Sequence, residues 1–341
     1  MLDKASSRPV VILTPEPQSA ARIFDEQTRA EFERLFQIID LQGKPDALDD
    51  ALPEAFAIVG QPDFPAKRIA RAPRLRALVN VEGNFYPNVD YPTCFERGIY
   101  VLGCGPAYAT AVAEYSLGLA LDLARGICRE DRAFRANRER YVAEGNKDAV
   151  LLSGAAIGVI GFGNLGRALL PLLEPFRATI RVHDPWLPDS ALAEMGVVPS
   201  TLTDLLVHSS IVFVLATVTD ESQHLLGGDQ LDLLPTGARL VLVSRAPVVD
   251  YGALLDRVRA GRLLAAIDVW PDEPVPADYP ARQLEGLVLS AHRAGGIPQA
   301  FNEIGRMVVD DLTLIALGLP PVRMQVAARE LVGRYRNRPV S

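Results

Sequence analysis

A glycine-rich turn between an apolar strand and a helix limits the possible folds of this chain more than any other feature. Residues 156–160 predict a buried strand and residues 167–173 a helix, joined by Gly161-Phe162-Gly163-Asn164-Leu165-Gly166. In such a G-x-G-x-x-G turn the glycines permit a tight bend, close approach of the backbone to a pyrophosphate, and close helix–strand packing. The helix N-terminus adds N–H groups and a positive dipole end. The turn therefore predicts a dinucleotide-binding unit, with a purely structural glycine turn as the alternative.

An acidic residue at the end of the next predicted strand indicates which dinucleotide is preferred. Residues 179–183 form that strand, and Asp184 follows it. A carboxylate in this place accepts a hydrogen bond from a ribose 2′-hydroxyl and repels a 2′-phosphate. Pro185 and Trp186 come next, so neither an arginine nor a serine is there to meet a phosphate. We expect NAD(H) to be preferred over NADP(H).

The composition narrows the class of protein. A length of 341 residues suits two domains, and a chain with 49% hydrophobic residues is not globally disordered. The net charge of −7 fits nucleic acid poorly, so we expect no nucleic-acid partner. Cys94, Cys104 and Cys128 form neither a disulfide framework nor a C-x-x-C metal pair, and they suit a reducing compartment. The longest apolar stretch is interrupted by Glu114 and Asp122, so no membrane span is predicted. Together with the cysteine pattern, this predicts a cytoplasmic protein without a metal.

Strands and helices alternate in two blocks, which predicts parallel α/β architecture because parallel strands need long crossovers. The expected strands are residues 9–14, 36–41, 56–60 and 75–81, then 156–161, 179–183, 211–216, 239–244, 264–269 and 286–290. The expected helices are residues 20–36, 110–141 and 299–317, with others between each pair of later strands. The first half of 110–141 is apolar on all sides, as in a helix buried between domains or subunits, and its charged second half suits a solvated face. Residues 320–341 are expected to be a disordered tail or an arm around a neighbour.

Four ionisable residues follow the ends of successive predicted strands: Arg245, Asp268, Glu273 and His292. Open parallel sheets bind ligands at this edge. An arginine binds a carboxylate through two hydrogen bonds, and a histidine transfers protons near neutral pH. A neighbouring carboxylate orients the imidazole and favours its protonated form. The set predicts a site for an anionic carbonyl compound, although each residue alone would more often be a surface charge or a structural group.

Taken together, these motifs resemble the D-isomer-specific 2-hydroxyacid dehydrogenase family, over about residues 75–318. The resemblance rests on the glycine turn with Asp184 and on AVAE (111–114), VSR (243–245), AIDVWPDEP (266–274) and SAHRAG (290–295). It implies an α/β fold of two domains. An NAD-binding Rossmann domain, residues 107–295, is inserted into a flavodoxin-like substrate domain formed by residues 1–106 and 296–341. It also implies a homodimer built largely on the cofactor domain.

The family pattern further implies roles for individual residues. Arg245 binds the carboxylate and carbonyl of a small 2-oxo acid, His292 protonates the carbonyl oxygen, and Glu273 hydrogen-bonds His292. NADH delivers hydride to C2, and oxidation of the D-2-hydroxy acid is the reverse. Glu273 separates the chain from the formate dehydrogenase branch, which has glutamine there. The implied cofactor residues are Gly161, Gly163, Asn164, Leu165, Gly166, Asp184, Thr217, Ser244, Asp268 (on the nicotinamide carboxamide), His292 and Gly295. The implied substrate residues are Gly83, Asn84, Phe85 and Arg245, and no metal is implied.

The substrate loop departs from the family pattern. Phe85 stands where glycine is usual and Pro87 where aspartate is usual, so a bulky Phe85 is expected to reshape the pocket while nearby N–H groups still hold a carboxylate. Ala246 follows Arg245 in place of glycine. Arg293 replaces an apolar residue. It either binds a second anionic group of the substrate or is an exposed loop residue.

Two other functions remain open at this point. The same fold serves an NAD-sensing corepressor that binds protein partners with little turnover, because fold does not determine function. A dehydrogenase of phosphite or another inorganic anion would keep the same acid–base residues.

Overall fold

The computed structural model describes residues 8–336, which fall into two compact units: residues up to 108 together with those from 296 onward, and residues 109–295. The strands are β1 (Val10–Thr14), β2 (Gln37–Asp40), β3 (Ala55–Gly60), β4 (Ala77–Asn80), β5 (Tyr100–Gly103), β6 (Ala156–Ile160), β7 (Thr179–His183), β8 (Val198–Pro199), β9 (Ile211–Val214), β10 (Ala238–Leu242), β11 (Leu263–Ile267), β12 (Leu287–Leu289) and β13 (Gln325–Val326). The α-helices are α1 (Ala20–Ile23), α2 (Glu26–Leu35), α3 (Leu48–Ala51), α4 (Ala66–Arg71), α5 (Tyr91–Glu96), α6 (Gly105–Arg125), α7 (Ile127–Arg135), α8 (Asn164–Leu173), α9 (Asp189–Glu194), α10 (Leu202–His208), α11 (Gly228–Asp232), α12 (Tyr251–Arg259) and α13 (Pro298–Ala316).

The first unit contains a six-stranded sheet in the order β13-β5-β4-β3-β1-β2. All neighbouring strands are parallel except β13, which pairs antiparallel with β5. Its core joins both ends of the described chain, since Phe32, Val79 and Met307 lie in one buried cluster. Helix α13 packs so closely on α1 that a Cβ at Gly305 would lie 2.1 Å from the Ile23 carbonyl oxygen.

The second unit contains a seven-stranded parallel sheet in the order β12-β11-β10-β9-β6-β7-β8. The strand order reverses between β6 and β9, and open α/β sheets bind ligands at the carboxyl ends of the strands beside such a point. The strands are apolar because helices cover both faces of a parallel sheet. These two sheets confirm the expected α/β fold with a Rossmann unit.

Two expected helices are broken in the structure. Residues 20–36 form α1 and α2 because Phe24 is extended and the Asp25 carboxylate caps α2 by accepting from the Thr28 N–H at 2.8 Å. The single helix expected over 110–141 was wrong. Helix α6 ends before Gly126, whose φ of +68° is left-handed, and α7 ends before Asn137 at +53°.

Other local expectations also need correction. Between β11 and β12 the chain forms only the 3-10 turn Pro280–Gln283, not an α-helix. The segment after α13, expected to be a tail or an arm around a neighbour, instead folds onto its own unit through β13 as far as residue 336; residues 337–341 lie outside the described part. Within residues 8–336, no helix combines the length and the apolar character needed to cross a membrane.

Candidate active site

The glycine turn has the backbone geometry that its sequence predicts. Gly161 has a φ of +87°, and a Cβ there would lie 2.6 Å from the backbone nitrogen of Ala216. A Cβ at Gly166 would lie 2.9 Å from the Gly161 carbonyl oxygen, so both positions require glycine. At Gly163, by contrast, a Cβ would meet no atom of the described chain within 4 Å. The turn therefore leaves open space beside the start of α8, and no side chain caps that helix.

The Asp184 carboxylate lies beside this turn. One oxygen accepts from the Phe162 N–H at 2.7 Å and the other from the Trp186 N–H at 2.9 Å. These bonds tie the end of β7 to the turn after β6. Each carboxylate oxygen has two lone pairs, so Asp184 retains acceptor capacity for a ribose hydroxyl.

The other expected cofactor residues follow the carboxyl ends of β9, β10, β11 and β12, on the same edge of the sheet: Thr217, Ser244, Asp268, His292 and Gly295. Ser244 Oγ is buried and has no hydrogen-bond partner among the described residues. Buried hydroxyls in native proteins are nearly always paired, so this atom calls for a partner. The open glycine turn, the uncapped helix and the unpaired hydroxyl together fit a bound dinucleotide.

Asp268 is fully buried and organises the loop that carries His292. Its carboxylate accepts from the Ser290 hydroxyl and from the backbone N–H groups of Arg293 (2.8 Å) and Ala294 (3.0 Å). Its carbonyl oxygen accepts from the His292 N–H at 2.7 Å. These bonds hold His292 at a φ of +51°, a left-handed conformation that is uncommon outside glycine. A contact of Asp268 with a nicotinamide carboxamide stays a prediction.

His292 and Glu273 form a direct pair, with 2.7 Å between His292 Nδ1 and Glu273 Oε2. An ionised carboxylate only accepts hydrogen bonds, so Nδ1 carries the proton. The other carboxylate oxygen accepts from the Trp270 N–H at 2.9 Å, which fixes the glutamate. Each side chain of the pair is 29% exposed, so both are supported by the protein and accessible to a ligand.

The electrostatics keep Glu273 ionised. Burial alone would raise the pKa of Glu273, but the hydrogen bond and charge of His292, the Trp270 N–H and the positive charge of Arg245 together lower it below its usual value. Arg245 is half-buried after β10, and its Nη1 donates to the Ser244 carbonyl oxygen at 2.7 Å. The structure thus brings Arg245, Asp268, Glu273 and His292 to one edge of the sheet. Arg293 is exposed on the adjoining loop.

The expected substrate residues Gly83, Asn84 and Phe85 lie in the first unit, in the loop after β4. The Asn84 carbonyl oxygen accepts from Asn80 Nδ2 at 2.8 Å. Phe85 was expected to change the shape of the pocket, but its side chain is only 3% exposed and packs inside its own unit, where a Cβ at Gly103 would touch its ring at 3.4 Å. The Phe85 side chain is therefore buried within the first unit.

Sequence reasoning missed several residues that support the site. The Tyr115 and Ser290 hydroxyls are 2.7 Å apart, and Trp270 Nε1 donates to the Ser290 carbonyl oxygen at 2.7 Å. The Trp270 ring also packs against Tyr251 and Tyr279. The position of Trp270 two residues after Asp268 could have indicated that it supports the site. Nothing in the apolar sequence around Tyr115 in α6 indicates such a role.

A family comparison gives a match over half of the chain. The family described as "D-isomer specific 2-hydroxyacid dehydrogenase, NAD binding domain" matches residues 117–294. The chain is 30% identical to a glyoxylate reductase of Korarchaeum cryptofilum, over 73% of this chain and 76% of that protein. It is 28% identical to a D-3-phosphoglycerate dehydrogenase of Archaeoglobus fulgidus, over 78% of this chain but only 50% of that protein.

Solved structures of similar proteins superpose on this chain over most of its length. A phosphoglycerate oxidoreductase from Rhizobium etli superposes with a TM-score of 0.85 at 45% identity, covering 94% of this chain and 99% of that one. A D-mandelate dehydrogenase from Rhodotorula graminis superposes with a TM-score of 0.79 over 94% of this chain and 99% of that one. At 21% identity, this second likeness shows the fold alone.

Proposed function

The chain belongs to the D-isomer-specific 2-hydroxyacid dehydrogenase family, an NAD-dependent oxidoreductase family, and we propose that Arg245, Glu273 and His292 perform its chemistry on C2 of a small D-2-hydroxy acid or 2-oxo acid. The observation that carries this assignment is the 2.7 Å pair between His292 and Glu273 beside the charge of Arg245. A cation, a proton carrier and an orienting carboxylate are the groups that such a substrate requires.

Arg245 binds the anionic end of the substrate in this proposal. Its guanidinium presents five N–H donors in a planar fork, which matches a carboxylate and a neighbouring carbonyl oxygen. One of its nitrogens is held by the Ser244 carbonyl oxygen, which leaves the rest of the fork for the substrate. We also propose that the backbone N–H groups around Asn84 and Phe85 are donors to a substrate carboxylate, as the family pattern implies for this loop.

His292 moves the proton. Since Nδ1 donates to Glu273, Nε2 is the ring atom that gives a proton to the carbonyl oxygen during reduction and takes it from the hydroxyl during oxidation. Glu273 stays ionised at neutral pH because its pKa is lowered, so it stabilises the positive charge on His292. Asp268 sets the loop conformation in which the ring reaches Glu273.

NAD(H) would be held by the glycine turn, Asp184 and the residues after β9 to β12, and when bound it supplies or takes the hydride at C2. Gly163 leaves room for the pyrophosphate beside the start of α8. Asp184 would accept from the ribose hydroxyls, and Ser244 Oγ would gain the partner that it lacks among the described residues. The negative charge of Asp184 supports a preference for NAD(H) over NADP(H).

The first experiment follows NADH consumption with a panel of 2-oxo acids. Glyoxylate and the 2-oxo form of phosphoglycerate come first, because relatives of this chain are named for glyoxylate and phosphoglycerate; hydroxypyruvate, pyruvate, 2-oxoglutarate and phosphite with NAD complete it. We expect turnover with one class, at least about tenfold faster with NADH than with NADPH. The variant Asp184→Asn, which keeps an acceptor but loses the charge, is expected to reduce that preference. Tight NADH binding without any turnover would instead support the corepressor function.

We propose a homodimer that uses the segment after α6. Helix α7 has no buried residue, and large apolar side chains are exposed through this segment: Ile127, Phe134, Tyr141, Val142 and Leu151. Exposed apolar residues concentrated in one region mark interaction surfaces. The expected result is a dimeric mass for the wild type by light scattering and a monomeric mass for Phe134→Glu/Leu151→Glu. Val322→Glu, which changes a 74% exposed apolar residue in the other unit, is expected to stay dimeric. A dimeric double variant would contradict this interface.

The sparse cysteines support the proposed cytoplasmic location. Of these, Cys94 and Cys104 are buried thiols and Cys128 is exposed, and none of the three is in a disulfide. Such thiols suit a reducing compartment.

A further inference from the structure

The segment after α13 is held to the first unit by a buried carboxylate. Asp311 is fully buried, and its carboxylate accepts from the backbone N–H groups of Val322 (2.9 Å), Arg323 (3.1 Å) and Met324 (2.7 Å). This anchor fixes where the chain leaves α13 and directs it toward β5.

From Asp311 the segment runs along β5 and then contacts α5. Gln325 pairs with Gly103 and Val326 with Leu102, and the Ala327 N–H donates to the Val101 carbonyl oxygen at 2.9 Å. The Arg329 guanidinium then lies 5.3 Å from the centre of the Phe95 ring on α5. The segment is thus attached at successive points before it reaches Tyr335.

Tyr335 packs on Phe85 of the loop after β4. The ring centroids are 5.8 Å apart at an interplanar angle of 46°, and the residues are 7% and 3% exposed. Phe85 also lies near Gly103 at the end of β5, where an added Cβ would be 3.4 Å from its ring. The buried Phe85 side chain therefore contacts both the sheet and the C-terminal segment.

The rest of the loop is tied down from inside the unit. Asn80 Oδ1 accepts from the Glu82 N–H at 2.8 Å, and Asn80 Nδ2 donates to the Asn84 carbonyl oxygen. The Tyr86 hydroxyl donates to Glu82, and the Tyr91 hydroxyl donates to the Tyr86 carbonyl oxygen at 2.7 Å. Asn84 and Tyr86 are thus held through the sheet and α5. Phe85, between them, has a ring that contacts Tyr335 of the C-terminal segment.

We propose that Tyr335 is a positioning residue for substrate: through its contact with Phe85 it holds the loop backbone at residues 83–86 in the conformation that binds the substrate carboxylate. The inference rests on the proposed role of this loop. It also gives a reason for Phe85 at a place where the family commonly has glycine, because an aromatic side chain supplies the contact that a glycine cannot.

The kinetic test uses Tyr335→Ala and Tyr335→Phe with the best substrate of the panel. Aromatic pairs contribute enough that losing one is expected to raise KM for the acid about 3- to 10-fold. The value of kcat and the affinity for NADH are expected to stay within about twofold, because the proton-transfer and cofactor residues are untouched. Tyr335→Phe keeps the ring and is expected to restore KM. Val322→Ala, an exposed residue of the same segment, is the control for general loosening.

A double variant links the effect to Phe85. If Tyr335 acts through Phe85, Phe85→Ala/Tyr335→Ala is expected to raise KM no further than Phe85→Ala alone. An unchanged KM in Tyr335→Ala would overturn the proposal. So would equal losses in KM, kcat and NADH affinity, or failure of Tyr335→Phe to restore KM.

Amide hydrogen exchange separates this inference from the proposed function. If the wild type turned over no acid, the function would fail, but the contact could still be tested. Exchange across residues 83–86 is expected to be faster in Tyr335→Ala and normal in Tyr335→Phe, with residues 156–173 unchanged in both. Unchanged exchange at 83–86 would overturn the inference whatever the substrate.

Discussion

Replacing His292 with asparagine is expected to lower kcat for 2-oxo acid reduction by about 10²- to 10⁴-fold, the usual contribution of a positioned general acid. Asparagine suits this position because it tolerates the left-handed backbone that His292 adopts at a φ of +51°. The side chain then lacks a proton to give, while the loop held by Asp268 keeps its conformation. Steady-state kinetics with NADH, together with NADH binding by fluorescence, measure the two effects separately.

Glu273→Gln is the companion variant to His292→Asn and tests the carboxylate that orients the ring. Glutamine keeps an acceptor for His292 Nδ1 but removes the charge that favours the protonated ring, so a smaller loss of kcat is expected. If His292→Asn kept more than about a tenth of wild-type kcat, His292 would not be the general acid.

The pair also links folding stability to pH. The pKa of Glu273 is lower in the folded chain than its usual value. Its contribution to stability is therefore present at neutral pH and is lost as the pH falls through the folded-state pKa. In Glu273→Gln that part of the acid-induced loss of stability is absent.

Replacing Arg245 with alanine is expected to lower kcat/KM by about 10²- to 10³-fold, or about 3 to 4 kcal/mol of transition-state binding. In the proposed function Arg245 is the cation that binds the substrate carboxylate, so its loss would leave that charge without its partner. Arg245→Lys keeps the charge but not the planar fork, so an intermediate loss is expected. The affinity for NADH is expected to change little.

Arg259→Ala is the matched control for the loss of a positive charge. Arg259 is an exposed arginine of the same unit, paired with Asp256 on α12. Such surface pairs contribute little, so kcat/KM is expected to stay near the wild-type value. Equal losses in Arg245→Ala and Arg259→Ala would show that net charge, not a specific contact, determines binding.

The regular part of the fold was predictable because parallel strands are buried on both faces and appear as short apolar runs. The strand expected at residues 211–216 is β9, and that at 239–244 is β10 shifted by one or two residues. The prediction of one helix over residues 110–141 was wrong because of the conformation of two residues. A left-handed Gly126 and Asn137 end α6 and α7, and nothing in the apolar and charged pattern distinguishes them from glycine or asparagine inside a helix.

At the site, the chemical types were visible in the sequence but their supports were not. Strand ends placed Arg245, Asp268 and His292 at one edge. The bonds from the Asp268 carboxylate to Arg293 and Ala294 depend on a loop that turns back on its strand, which local patterns do not encode. The burial of Phe85 beneath Tyr335 joins residues that are far apart in the chain, so it could not be predicted either.

The discontinuous first unit has a consequence for synthesis on the ribosome. Residues 109–295 form one uninterrupted stretch and can fold as soon as they emerge. Strands β1 to β5 cannot complete their core at that stage, since α13 and β13 are made later. Domains commonly fold in order of synthesis, and exposed apolar surface in partly made chains promotes aggregation. The core around β1 to β5 therefore closes after residues 109–295 can fold, so we expect these strands to depend more on protection by chaperones while translation proceeds.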